Sequence, residues 1–163
     1  HQQLSSDTDT GRQVVKLLGN EILSNGLFDH KKIADKVFNS PQELKLLEKI
    51  IHPAVLKEIE NKFETISRDP LYKLFVVEVP LLFETSMEKH FDKIVAVTAD
   101  GTTCWKRFQK KNACSREDFE KISNIQYSPL EKANMADFVV VNNTSLGELK
   151  PRVKAIFDEL IQN

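Results

Sequence analysis

Two groups of residues have the clearest chemical potential. The first is Glu78, near the end of the run Leu74-Phe75-Val76-Val77-Glu78-Val79. A continuous apolar run rich in β-branched residues reads as a strand buried on both faces. Pro80, with no amide hydrogen, should end it. A carboxylate there is costly to bury without compensation. Ligands of open parallel sheets lie beyond the carboxyl ends of the strands, which would put Glu78 at a functional edge. An edge strand or a turn cap accounts for the same stretch equally well. The second group is the basic segment Lys106, Arg107, Lys110, Lys111, Arg116, Lys121 and Lys132. Near such an edge it could receive phosphates, because arginine forks match phosphate oxygens. A solvated helix face is the commoner fate of a charge run.

Other candidates are weaker. His52, before Pro53, could be a functional imidazole, but a helix-terminal histidine touching carbonyls is the simpler reading. His1, His30 and His90 lack metal-ligand spacing with one another or with cysteine. Trp105 and Phe108 read as core rather than as a platform for stacking bases. Asn142 and Asn143 follow a strand, where an amide can read a base edge or simply make a turn. No Ser/His/Asp or Cys/His order is persuasive, and the five glycines all occur singly, so no glycine-rich phosphate loop is present.

The elements that must position these residues change character along the chain. Residues 1–10 are polar and read as a loop. Apolar spacing then predicts a helix from Gly11 to Leu23, stopped by Ser24-Asn25-Gly26. Asp29 can cap a short helix carrying Ile33 and Val37. Ser40-Pro41-Gln42-Glu43 is a helix-start signal, and Pro53 should break or kink the chain after His52. A further helix is expected over about 54–67, with Arg68-Asp69-Pro70 as a turn. From residue 71 strands and helices alternate: a strand ending at Pro80, a second at Ile94–Thr98 and a third at Phe138–Val141. Helices are expected from Asp100 to Lys110, from Ser115, and from the capping box Ser145-Leu146-Gly147-Glu148. This alternation is the pattern of an α/β parallel sheet with right-handed crossovers. Three strands are few for such a sheet.

At 163 residues the chain is long enough for one domain, and 40% hydrophobic with 29% charged residues suits a globular protein. A net charge of −1 encodes no general pull toward nucleic acid or acidic lipid. No apolar run approaches the ~20 residues of a membrane span, and no signal-peptide pattern is visible. Cys104 and Cys114 form neither a disulfide framework nor a CxxC pair, so reduced thiols in the cytoplasm are expected.

Taken in order, these residues resemble the dephospho-CoA kinase family along nearly the whole chain. Leu47 to Pro53 is similar to the family's L-x-x-I-x-H-P, and Glu78-Val79-Pro80-Leu81-Leu82-Phe83-Glu84 to D-I-P-L-L-F-E. Arg107 stands at the arginine of Q-x-x-R. Lys121-Ile122, Gln126, Lys132 and Ala136-Asp137 follow R-I-x-x-Q…K…A-D, and Asn142-Asn143 matches the D-N-N or D-N-S turn. Each match alone is weak; their order and spacing make them specific.

The resemblance implies a P-loop NTPase-like parallel sheet flanked by helices. A helical substrate region would span residues 1–69, a nucleotide-binding core residues 70–105 and 133–163, and a lid residues 106–132. The reaction implied is transfer of the ATP γ-phosphate to the ribose 3′-hydroxyl of dephospho-CoA, with Mg2+ bridging phosphate oxygens. Arg107 would be catalytic. His52, Pro80, Leu81 and Leu82 would bind substrate. Asn142, Asn143, Lys111 and Lys132 would bind ATP, and Glu78 would face the metal. No nucleic-acid or membrane partner is implied, and a cytoplasmic monomer is expected.

The sequence also departs from the family pattern. Glu78 replaces aspartate, Cys104 replaces the glutamine of Q-x-x-R, Lys111 replaces an arginine, and His30 replaces the arginine after Asp29. The family's phosphate loop and its D-A-D motif, with the catalytic aspartate, would precede His1. Residues upstream of His1 are therefore expected. Without the loop strand, those at 74–79 and 94–98 should present open backbone edges, and residues 1–163 alone should be unfolded or inactive. Two alternatives remain: a kinase-derived binding module without catalysis, and another small-molecule P-loop kinase such as a nucleotide kinase.

Overall fold

The computed structural model describes residues 5–38, 40–111 and 115–162, without the side chains of Phe38 and Lys111. The elements fall into two compact units, residues 1–75 and 76–163.

The first unit is helical. Thr8 caps α1 (Asp9–Leu18), its hydroxyl accepting from the Gly11 amide at 2.9 Å. The helix ends at Gly19, whose φ of 83° and amide bond to the Val15 carbonyl close its last turn. That is five residues before the expected stop at Ser24. A short 3-10 turn, Asn20–Ile22, then leads into a hairpin of β1 (Leu23–Ser24) and β2 (Leu27–Phe28). Asn25 and Gly26 both have positive φ, 53° and 78°. A two-residue antiparallel connection with that backbone is a type I′ turn, which follows the twist of the strands. The Asn-Gly pair therefore makes a hairpin rather than ending a helix.

Asp29 caps α2 (His30–Phe38), its carboxylate accepting from the amides of Lys31 and Lys32 at 3.1 and 3.2 Å. Ser40 caps α3 (Pro41–Ile66), accepting from the Glu43 amide at 3.3 Å. The expected break at Pro53 does not occur, and α3 is one helix of 26 residues. A proline costs one amide bond and crowds the preceding turn. Here the residues N-terminal to it, Leu44, Leu47, Ile50 and Ile51, pack into the core and hold the helical path. His52 is consequently half-buried in mid-helix, not at a helix end. The core they join consists of Val14, Leu18, Ile22, Val37 and Leu47.

The second unit is α/β. β3 (Val95–Thr98) and β4 (Phe138–Val141) pair in parallel, with Val95 opposite Phe138 and Thr98 opposite Val141. Between them lie α4 (Gly101–Lys111), α5 (Arg116–Ile125) and α6 (Pro129–Met135), and α7 (Leu146–Leu160) follows β4. Capping boxes at Ser115/Asp118 and Ser128/Glu131 open α5 and α6. The second box, with Pro129 at the first helical position, is legible in the sequence but was not among the expected helix starts. The Ser145 hydroxyl meets the Glu148 carboxylate at 3.3 Å but caps no backbone amide of α7.

The strand expected at 74–79 is not formed. These residues have no ladder partner among the described residues, Val76 is 82% exposed, and Glu78 is exposed rather than buried. A strand buried on both faces needs neighbours that take up its amides and carbonyls, and none is paired here. The sheet thus has two strands rather than three. Ala96 is buried on one face and Val140 on the other, while Val95, Val97, Val139 and Val141 are exposed.

Gly11 lies inside α1, where a Cβ would run into the Ser5 carbonyl oxygen and the Ser6 backbone. Gly11→Ala should therefore lower stability by about 1–3 kcal/mol despite alanine's better helix propensity. Urea unfolding followed by circular dichroism would measure it.

Candidate functional site

The carboxyl end of the β3/β4 pair gathers several of the expected site residues. Asp100, just past β3, caps α4. Its carboxylate accepts from the Thr103 amide at 2.7 Å and from the Thr103 hydroxyl at 2.9 Å. Just past β4, Asn143 reaches across, its Oδ1 accepting from the Asp100 amide at 2.8 Å. The Asn142 amide donates to the Thr98 carbonyl at 2.7 Å, extending the ladder by one bond. Arg107, exposed on the second turn of α4, donates from one nitrogen to the Asn142 carbonyl at 2.8 Å and from the other to Asn142 Oδ1 at 3.3 Å. The structure therefore brings Arg107, Asn142 and Asn143 together. Both partners of Arg107 are neutral, and among the described residues no carboxylate pairs with it.

A second group forms around the turn that follows Pro80. The Thr85 amide bonds to the Leu81 carbonyl, Ser86 to Phe83 and Met87 to Leu82, all at 3.0–3.1 Å. The last two bonds, with Ser86 at φ 54°, make a Schellman closure of a single helical turn. Leu81 and Leu82 are half-buried in it, Pro80 is exposed, and Met87 is buried. Glu84 projects from this turn. Its Oε1 accepts from the Tyr127 amide at 2.7 Å and from Lys132 Nζ at 3.0 Å. Lys132 also donates to the Pro80 carbonyl and to Gln126 Oε1, both at 3.4 Å. Glu84 Oε2 is buried without a hydrogen-bond partner among the described residues.

The electrostatics follow from these contacts. Burial pushes the Glu84 carboxyl up, but the amides of Glu84 and Tyr127 and the Lys132 ammonium outweigh it and hold it below its ordinary value. The Thr103 amide and hydroxyl lower Asp100. At the amino end of the strands the Ile94 amide, at 2.9 Å, and Lys93, at 3.0 Å, lower Asp137. Asp137 of the A-D pair thus ties β3 to β4 at the end opposite Arg107.

The remaining expected residues are not drawn into either group. Glu78 has no hydrogen bond or ion pair among the described residues. His52 belongs to the first unit. The side chain of Lys111 and all of Cys114 lie outside the described residues. No cluster of three His, Cys, Asp or Glu side chains that could hold a metal occurs among the described residues, and no helix there is long and apolar enough to cross a membrane. Sequence reasoning assigned no role to Asp100, Gln126, Tyr127 or Glu84. Asp100-x-x-Thr103 carried a helix-cap signal, whereas nothing local marked Tyr127 as Glu84's partner 43 residues away.

A family model described as dephospho-CoA kinase matches residues 1–148. A dephospho-CoA kinase of Protochlamydia amoebophila is 40% identical over 161 residues, covering 98% of this chain and 79% of that protein. One from Chlamydia abortus is 38% identical over 157 residues, covering 96% and 78%. Among solved structures, TT1252 from Thermus thermophilus superposes with a TM-score of 0.77 at 29% identity, covering 96% of this chain and 78% of that one. Dephospho-CoA kinase from Campylobacter jejuni superposes with a TM-score of 0.67 at 21% identity, covering 99% and 81%, a likeness of fold.

Every capping or clasping carboxylate named here is depressed in the folded chain, so its contribution is complete above its unfolded value and is lost as pH falls through the folded one. Stability should therefore hold from pH 7 to about 5 and decline steadily below about 4. Asp100→Asn should flatten part of that decline. Urea midpoints measured across this range would show both effects.

Proposed function

We propose roles for the site residues from the premise that the chain belongs to the dephospho-CoA kinase family. Its reaction is the family's: ATP phosphorylates the ribose 3′-hydroxyl of dephospho-CoA, the last step of coenzyme A synthesis. Catalysis of this kind rests on positioning and on neutralising the charge of the transferring phosphoryl group.

The observation that carries the assignment of roles is the exposed Arg107 fork, held by Asn142 at the carboxyl end of a parallel pair with no carboxylate to cancel its charge. Arg107 is the catalytic residue, setting positive charge beside the phosphoryl group. Asn142 and Asn143 lie beside it and are assigned to the nucleotide. Lys111 is assigned to the ATP phosphates by its motif. Lys132 shares that assignment, although its pairing with Glu84 means that phosphate contact comes with an exchange of partner. Pro80, Leu81 and Leu82 form the turn assigned to dephospho-CoA, and His52 is assigned to the same substrate by motif alone.

Glu78 is assigned to Mg2+. A single exposed carboxylate fits this ion, which is commonly held by one or two carboxylates together with phosphates and waters. When bound, Mg2+ supplies charge neutralisation at the phosphate oxygens. The fold assigned is the P-loop NTPase-like sheet, with residues 1–69 as the helical substrate region, 70–105 and 133–163 as the core and 106–132 as the lid. A cytoplasmic monomer completes the reading.

Coupled measurement of ADP release by the complete enzyme should show turnover with dephospho-CoA and at least tenfold less with AMP, dCMP or shikimate. Preference for one of the latter would move the chain to another kinase class. In the same assay Arg107→Ala should lower kcat by about 10²-fold and change the KM for dephospho-CoA far less. Equal, small changes in both would remove Arg107 from the chemistry. Glu78→Gln should raise the Mg2+ concentration needed for half-maximal rate, and an unchanged titration would leave Glu78 a structural role only.

A further inference from the structure

We propose that Glu84 is a positioning residue that sets the place of Arg107 by clasping the junction of α5 and α6 to the turn at Pro80–Ser86; the kinetic part of this inference rests on the function proposed above.

The geometry is a chain of three contacts. At one end of α5, Phe119 packs against Trp105 and Phe108 of α4, with ring centroids 5.5 and 5.3 Å apart. The Arg116 guanidinium lies over the Trp105 ring at 5.2 Å and is held by Glu120 at 2.8 Å. This attaches α5 to the helix that carries Arg107. At the other end, where α5 gives way to α6, Glu84 takes the Tyr127 amide and the Lys132 ammonium on one oxygen. Lys132 ties the same junction to the Pro80 carbonyl and to Gln126. Helix α5 is therefore a bar fastened at one end to the arginine-bearing helix and at the other to the turn assigned to the acceptor.

The clasp differs in kind from the other ion pairs of the unit. Glu84 and Lys132 have side chains only 10% and 21% exposed, while Lys93–Asp137, Arg116–Glu120 and Lys154–Asp158 lie at the surface. Exposed pairs contribute little, but a desolvated pair is strongly disfavoured once one partner is lost. Its partners lie 43 to 52 residues apart in sequence, so it serves no local capping purpose. Its second oxygen, Oε2, is buried without a hydrogen-bond partner among the described residues, so half of the carboxylate's acceptor capacity goes unused. Glutamine would still accept from the Tyr127 amide but would leave the Lys132 ammonium without a counter-charge.

Hydrogen exchange read by mass spectrometry on the full chain, with no substrate present, tests the clasp. Glu84→Gln should speed exchange in peptides spanning 120–132 at least tenfold, and Glu84→Asp, which keeps the charge with a shorter reach, should do so less. Unchanged exchange in Glu84→Gln overturns the proposal. The kinetic arm separates positioning from plain stability. Folded Glu84→Gln should lose at least fivefold in kcat with the KM for ATP within threefold, and Glu84→Asp should recover part of it. Faster exchange with an unaltered kcat would make Glu84 a structural residue only and overturn the positioning role. If Glu84→Gln does not fold, the same two readings apply to Glu84→Asp. If the unsubstituted complete enzyme does not phosphorylate dephospho-CoA, the proposed reaction is what fails, and the exchange arm alone decides the clasp.

Discussion

A parallel ladder of two strands ends in amides and carbonyls that no longer face a partner strand, and those groups need other partners. Where β3 and β4 end, side chains supply them. Asn143 takes the Asp100 amide, Arg107 takes the Asn142 carbonyl, and the Asn142 amide turns back to Thr98. This requirement of backbone satisfaction fixes the start of α4 against the end of β4. It also fixes where the second turn of α4 holds its arginine. The residues assigned to phosphoryl transfer and to the nucleotide are adjacent because they close the same strand ends.

The two cations of the unit that matter most differ in what surrounds them. Arg107 is held by two neutral oxygens of Asn142, so its full charge remains directed at its surroundings. Lys132 sits on a carboxylate held below its ordinary pKa, so its charge is largely compensated locally. An anion meets an uncancelled fork at Arg107 and a closed pair at Lys132. The bidentate geometry of arginine suits phosphate oxygens in a way that a paired ammonium does not.

The two-stranded sheet has an energetic counterpart. Among the described residues of the second unit, buried apolar side chains are confined to Met87, Ala96 and Val140, whereas the first unit buries Val14, Leu18, Ile22, Val37 and Leu47 together. With so thin a core, polar ties carry more of the unit's order. Asp137 with Lys93 and Ile94 closes one end of the strands, Asn143 with Asp100 the other, and Glu84 with Lys132 the helical junction.

What was legible in the sequence was what short-range chemistry dictates. Asp29, Ser40 and Ser115 cap the helices they were expected to cap, because a side-chain oxygen reaching an amide two or three residues on depends on nothing distant. The parallel strands at 95–98 and 138–141 were legible for a related reason, since β-branched apolar runs bounded by turns have few other ways to be buried. The family was legible from the order and spacing of its motifs. Tertiary structure decided the rest. Pro53 lies within a helix because core packing before it outweighs one lost amide bond, and residues 74–79 make no strand because a strand is defined by the neighbour that pairs with it. Local sequence carries no information about a contact across 43 residues, so only the folded chain could join Glu84 to Tyr127.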